Sequence, residues 1–84
     1  MKTGDLVKIK SVMRGCTFLM INEHDHVTSG APGPGPTVDD VYMIIGTRVI
    51  VNSPESRRPR RLVFLCNTVT GTLGILWDGE IVEL

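Results

Sequence analysis

The chain has 84 residues, of which 42% are hydrophobic and 21% are charged, and its nine basic residues balance nine acidic ones. This length predicts a single domain, 1–84, and the hydrophobic content excludes wholesale disorder. A net charge of zero argues against binding nucleic acid over the whole surface, because such chains are usually basic. No apolar run approaches the roughly 20 residues of a membrane-spanning helix, so we expect no membrane association and a cytoplasmic location.

Two apolar segments near the amino terminus predict the first two strands. In residues 1–10 the apolar Val7 and Ile9 alternate with lysines, and this period of two is typical of a strand with one face in water. Residues 16–21, CTFLMI, are continuously apolar and predict a second strand.

A long connection then follows, from residue 23 to residue 40. It contains SGAPGPGPT, in which glycines alternate with prolines. Because proline removes backbone donors and glycine raises the entropy of the unfolded chain, neither a helix nor a ladder strand is expected there. Such a length is unusual for an incidental turn. We interpret it as a mobile loop, and the alternative is an extended arm that docks on another molecule.

Residues 41–51, VYMIIGTRVIV, resume the strand pattern, and Gly46 divides them. One interpretation is a single long strand bent at Gly46, as small barrels require at their corners. The other is a tight hairpin with Gly46 and Thr47 at its tip. Both are favoured over a helix because β-branched residues are frequent. Residues 52–59 predict a polar loop.

The last third of the chain is the densest apolar region. Residues 62–66 predict a strand, Gly71 allows a reversal, and residues 73–77 predict the returning strand. The Asp-Gly pair at 78–79 is a strong hairpin signal, so residues 80–84 are expected to close a three-stranded meander, or else to form one helical turn.

This order of short strands predicts an all-β fold, a small closed or half-closed barrel of five to seven strands. The opening MKTGDLVKIK, the long loop and the closing GILWDGEIVEL resemble the SH3-like barrel proteins encoded by tailed bacteriophages, including cyanophages. The GAPGPGPT insertion departs from their compact members. The resemblance implies a partly open SH3-like barrel, a phage protein of unassigned role in a virion or the host cytoplasm, and no catalytic residues.

Catalytic and metal-binding patterns are weak. His24 and His26 are two residues apart and on an extended segment would project to one side, where Asp39 or Asp40 would add a third ligand to Zn²⁺ or Ni²⁺. A solvated loop is the preferred interpretation, because spacing fixes no third ligand. No nucleophile elbow and no phosphate-binding glycine loop is present. We therefore expect no enzyme activity, no metal and no cofactor.

The two cysteines, Cys16 and Cys66, are fifty residues apart, and neither has a neighbour at zinc-ligand spacing. Two reduced, buried thiols are the preferred interpretation. The alternative is a disulfide formed in an oxidising compartment.

The leading functional prediction is a non-enzymatic protein-interaction module. Its partner would be a phage or host protein, or further copies of the chain itself, since an apolar meander leaves an edge or a patch uncovered. Trp77 either anchors the core, which is preferred, or lines a groove. An extended proline arm suits docking. The candidate partner-binding residues are Pro32, Pro34, Pro36 and Trp77.

The alternative is a nucleic-acid-binding module of the KOW type, which uses a small barrel on RNA. Four arginines lie within five residues and would hold phosphates. In a strand, Arg58 and Arg60 would share one face. Exposed aromatic residues, which stack on bases, are not interleaved with them. A solvated rim, or charges that keep an edge strand from aggregating, is the preferred interpretation of Arg57, Arg58, Arg60 and Arg61.

Overall fold

The computed structural model describes residues 2–10, 17–24, 26–50 and 59–84. In this part of the chain the fold is all-β, without any α-helix, as predicted. The seven strands are β1 (Leu6–Ile9), β2 (Leu19–Ile21), β3 (Val27–Ser29), β4 (Val41–Ile50), β5 (Arg60–Asn67), β6 (Leu73–Trp77) and β7 (Ile81–Glu83), and a 3-10 turn (Asp78–Glu80) joins the last two. Among these residues, no helix is long and apolar enough to cross a membrane.

Five strands form one antiparallel sheet in the order β6-β5-β4-β1-β7, and β2 pairs with β3 in a separate two-stranded sheet. The first strand pairs with the last, with Val7 opposite Glu83 and Ile9 opposite Ile81. The predicted meander of β5, β6 and β7 is therefore wrong, because β6 and β7 lie at opposite edges of the sheet. The Asp-Gly signal produces a 3-10 turn instead of a two-residue hairpin, and this turn carries β7 to β1.

Strand β4 is continuous and bent, which confirms one of the two predicted alternatives. Its register with β5 shifts between Ile44, which lies opposite Leu65, and Gly46, which lies opposite Phe64. Such a bulge increases the local twist and bends the strand. Because β4 pairs with β5 up to Ile50, the alternative hairpin at Gly46 is excluded.

The core lies on one side of the main sheet. The predicted alternation in β1 is confirmed, since Val7 and Ile9 are buried and their neighbours are exposed. Phe18 and Tyr42 meet edge to face, with ring centroids 6.3 Å apart. The buried cluster comprises Val7, Ile9, Phe18, Tyr42, Ile44, Val63, Leu65, Leu76 and Ile81.

The segment 23–40 is not an unbroken loop, because β3 lies within it and pairs with β2. The alternation of proline and glycine begins only after this strand, and the β-branched Val27 and Thr28 suit a ladder. A tight connection precedes β3, where Asn22 Oδ1 accepts hydrogen bonds from the N–H groups of His24 and His26, each at 2.9 Å. The predicted strand 16–21 is observed over its second half, as β2.

Residues 30–40, which we call the proline arm, lead from β3 to β4. The N–H of Ala31 donates to the carbonyl of Phe18 at 3.1 Å, and its side chain packs against the core. Pro36 is buried, whereas Pro32 and Pro34 are exposed. Mobility of this arm, or docking on a partner, stays a prediction.

Candidate protein-binding groove

The main sheet has a second apolar face, on the side away from the core. In β5 the core-facing Val63, Leu65 and Asn67 are buried. On the other face Phe64 and Cys66 are partly exposed, whereas Leu62 is fully buried. The register places Phe64 opposite Ile75 and Cys66 opposite Leu73. Leu73 is 65% exposed and Ile45 is 41% exposed, which is high for such residues on a sheet. We call this surface the outer face; its members are Met43, Ile45, Phe64, Cys66, Leu73, Ile75 and Trp77.

A groove of about 480 Å³ lies between the outer face and the β2–β3 hairpin. Leu19–Ile21 of β2 form one wall, and Pro32 and Pro34 of the proline arm continue it. The sheet contributes Phe64 and the first half of β6. No lining residue carries a charge, and Thr72 alone has a polar side chain. This β6 groove is thus suited to apolar side chains.

The groove runs along β6, which among the described strands is an edge strand that pairs with β5 alone. At the turn before β6, the N–H of Asn67 donates to the carbonyl of Thr72 at 2.9 Å. Antiparallel ladders alternate bonded and non-bonded pairs, so the backbone groups of Gly74 and Leu76 point toward β5. The intervening residues direct their N–H and C=O groups toward the free edge. These residues are Leu73, Ile75 and Trp77.

In the part of the chain that the structure describes, no strand pairs with this edge. The carbonyl of Trp77 accepts the first bond of the 3-10 turn, so the unbonded groups are those of Leu73 and Ile75 and the N–H of Trp77. Edge strands in monomeric proteins are usually protected by charged side chains, proline or bulges. The sequence of β6, LGILW, contains neither charge nor proline, and its register with β5 is regular. An exposed, unprotected strand edge beside an apolar groove is a common place for another chain to add a strand.

Trp77 lies at the end of β6 and is half-buried. It is absent from the core cluster, so the preferred interpretation of a core anchor is wrong. The guanidinium of Arg60 lies 3.9 Å from the centroid of its ring, in a cation–π contact. Arg60 and Arg61 are exposed at the start of β5, whereas Arg57 and Arg58 lie outside the described residues.

A polar cluster fastens the end of the proline arm beside the groove. Asp40 Oδ2 accepts hydrogen bonds from Asn67 Nδ2 and from Thr37 Oγ1, both at 2.8 Å. These two bonds, first that from Asn67, hold the pKa of Asp40 below its ordinary value of 3.8. The N–H of Thr37 donates to the hydroxyl of Tyr42 at 3.2 Å. Because every member bonds to another, we assign the cluster a structural role.

The predicted metal ligands do not converge. The rings of His24 and His26 lie 6.4 Å apart, and Asp40 bonds to Asn67 instead. Over the residues that the structure describes, no three His, Cys, Asp or Glu side chains come together as metal ligands. Cys66 is a free thiol, half-buried on the outer face, and Cys16 lies outside the described residues.

Comparison with known proteins adds no relative. No protein family, no curated protein and no solved structure matches the chain.

Proposed function

We propose that the chain is a small, partly open SH3-like barrel that acts as a non-enzymatic protein-interaction module in a tailed phage, in the virion or the host cytoplasm. The resemblance of both ends of the sequence to such phage proteins supports this identity. The main sheet is not closed, because β6 and β7 are its two edges, so the barrel in this proposal is a partly open one. The bend in β4, which bonds to strands on both sides, supports it. Strongly bent strands are what a small barrel requires.

The interaction site in this proposal is the β6 groove, and its occupant is an extended apolar segment of another protein. One observation carries the proposal: the N–H and C=O groups of Leu73 and Ile75, with the N–H of Trp77, point to an unpaired edge beside an uncharged groove. An added strand supplies the missing backbone partners, and its alternate side chains enter the groove. Pro32 and Pro34 form part of the wall that these side chains contact.

Synthetic peptides of about ten residues test this site. One set alternates apolar and polar residues, and a second set has the same composition in blocks. We expect the alternating set to bind, because only this pattern places its apolar side chains on one face of an added strand. Fluorescence anisotropy measures the affinity of each set.

The matched variants are Leu73→Lys, which places a charge at the groove, and Val69→Lys, which places the same charge on an exposed turn residue outside it. Leu73→Lys should weaken binding about tenfold or more, and Val69→Lys should leave it unchanged. Equal binding to both variants, or to both peptide sets, would contradict the proposal.

Nucleic-acid binding through the arginine cluster stays a second proposal. The observation in its favour is that Arg60 and Arg61 are adjacent and exposed. Against it, Arg60 already covers the ring of Trp77, which would otherwise stack on a base. An electrophoretic mobility shift at low salt decides the matter: binding that is lost when Arg57, Arg58, Arg60 and Arg61 are all replaced by alanine supports it.

A further inference from the structure

The free edge of β6 is complementary to itself. Its outward-pointing residues are Leu73, Ile75 and Trp77, so Ile75 is the midpoint of a symmetrical set. We propose that the occupant of this edge is the β6 strand of a second copy of the chain, antiparallel to the first and related to it by a two-fold axis at Ile75. This inference rests on the proposed function, because it names the partner at that same site.

The backbone groups match in this register. Ile75 faces Ile75 of the second copy, and Leu73 faces its Trp77. The two Ile75 residues exchange two N–H···O bonds, and the N–H of Trp77 donates to the carbonyl of Leu73. The Trp77 carbonyl already accepts the first bond of the 3-10 turn, and its second lone pair accepts from the N–H of Leu73. If one copy shifted by one residue along the other, Ile75 would face Gly74 or Leu76, whose backbone groups are already bonded to β5. The alternation therefore selects this pairing over its immediate neighbours.

The side chains match as well. A two-fold axis perpendicular to the sheet keeps the outer faces of both copies on the same side. Leu73, which is 65% exposed, then lies beside Trp77 of the second copy, and the two Ile75 side chains lie together. These are aliphatic and aromatic pairs, which are favourable as cross-strand neighbours. The pairing covers one of the most exposed large apolar side chains in the described part of the chain.

The distribution of charge selects the antiparallel orientation. The carboxyl end of β6 is followed by Asp78 and Glu80, whereas the turn before β6, residues 68–72, carries no charge. In the antiparallel pairing each acidic end lies beside the neutral turn of the other copy. A parallel pairing would place Asp78 beside Asp78. Because the chain has no net charge, long-range repulsion does not oppose association.

Within the described ranges, no other strand forms a ladder with this edge. Strand β2 lies beside β6 but forms no ladder with it, and Phe18 packs on the core-facing side of Gly74. The opposite edge, β7, has three residues, and Glu83 is one of them. A short edge strand that bears a charge is protected in the usual way. Self-association is thus expected at β6 and not at β7.

Sedimentation velocity over a range of concentrations measures the oligomeric state, and amide hydrogen exchange locates the interface. We expect a monomer–dimer equilibrium. As the concentration rises, the amides of Leu73, Ile75 and Trp77 should exchange about tenfold or more slowly. The amides of Gly74 and Leu76 serve as internal controls, because their bonds to β5 are the same in both states.

Leu73→Lys should weaken the dimer about tenfold or more. Val69→Lys places its charge in the turn that lies beside Asp78 and Glu80 of the second copy, so it should not weaken the dimer. A dimer in which those three amides show no added protection would overturn the inference, whatever the variants do. So would a chain that stays monomeric at all concentrations. If the monomer still binds the alternating peptides through Leu73, a second copy is excluded as the occupant of the β6 edge, but the proposed function stands. If it binds neither, both proposals fail.

Discussion

Replacing Asn67 by aspartate should reverse the dependence of stability on pH. The Asn67 side chain is 4% exposed. Its Nδ2 donates to Asp40, while its Oδ1 accepts from the N–H groups of Val69 and Thr70 at 2.8 Å and 3.1 Å. Aspartate keeps the acceptor that organises this turn. It replaces the donor with a carboxylate oxygen that faces the carboxylate of Asp40.

The signs of the two pH dependences are opposite. In the natural chain the folded-state pKa of Asp40 is lowered, so its contribution to stability is present above about 3.8 and is lost as pH falls through the lower folded-state pKa. In Asn67→Asp two carboxylates share one site, which raises the pKa of the pair in the folded state. The contribution of that pair is present at acid pH and is lost as pH rises through the raised pKa.

The size of the effect follows from burial at residue 67. Removing the Asn67 side chain, as in Asn67→Ala, deletes three hydrogen bonds and should cost about 2 to 4 kcal/mol. We expect the lower end of this range, because Val69 and Thr70 are exposed and water can replace the hydrogen bonds that their N–H groups lose. At neutral pH Asn67→Asp leaves a nearly buried carboxylate without a donor from Asp40, which should cost about 3 kcal/mol or more.

Urea unfolding followed by Trp77 fluorescence, at intervals from about pH 3 to about pH 7, measures these free energies. The double variant Asn67→Asp with Asp40→Asn exchanges the two side chains, so one is again a donor and the other an acceptor. It should recover part of the stability that Asn67→Asp loses. Asp39→Asn is the control for loss of a neighbouring exposed carboxylate. If the free energy of unfolding of Asn67→Asp changes with pH in the same way as that of the natural chain, the assigned role of the Asn67–Asp40 bond is refuted.

Three further substitutions, one of them a control, test the packing around β6. Gly74→Ala should cost about 1 to 3 kcal/mol, because the new Cβ would come as near as 2.6 Å to Cζ of the buried Phe18 ring. Gly79→Ala meets no atom within 4 Å and should change the stability by less than about 0.5 kcal/mol; equal costs at both sites, measured in urea, would contradict the packing. Arg60→Ala uncovers the Trp77 ring and should shift its emission to the red, with a loss of at most about 1 kcal/mol; an unchanged spectrum would show that the contact is not populated in solution.

The strands that the sequence predicted well are those whose signals are local. Leu73–Trp77 has the predicted bounds, because Gly71 marks its start and the Asp-Gly pair marks its end. The alternation of Val7 and Ile9 likewise needs no knowledge of a partner strand. Strand pairing is different, because it depends on contacts far apart in the chain. Nothing near Ile81–Glu83 indicates that it pairs with β1.

The groove was only partly predictable. Pro32 and Pro34, chosen as partner-binding residues, line it, while Pro36 is buried. The signal that sequence reasoning missed lies in β5, where LVFLC is apolar at consecutive positions. Such a strand has an apolar residue on both faces, so one face of the sheet must bind another element or stay exposed. The second wall of the groove, in β2, is set by tertiary contacts and has no local signature.

The 3-10 turn at Asp78–Glu80 decides which edge of the sheet is free. A two-residue hairpin at this point would fold β7 back onto β6 and occupy the groups that now point outward from Leu73–Trp77. Instead the turn delivers β7 to β1, where Ile81 joins the core at 8% exposure. Burial of an isoleucine contributes about 1.5 to 3 kcal/mol. Among the described residues, the same step that completes the core therefore leaves β6 with one ladder partner, so an unpaired strand edge is a consequence of how this chain folds.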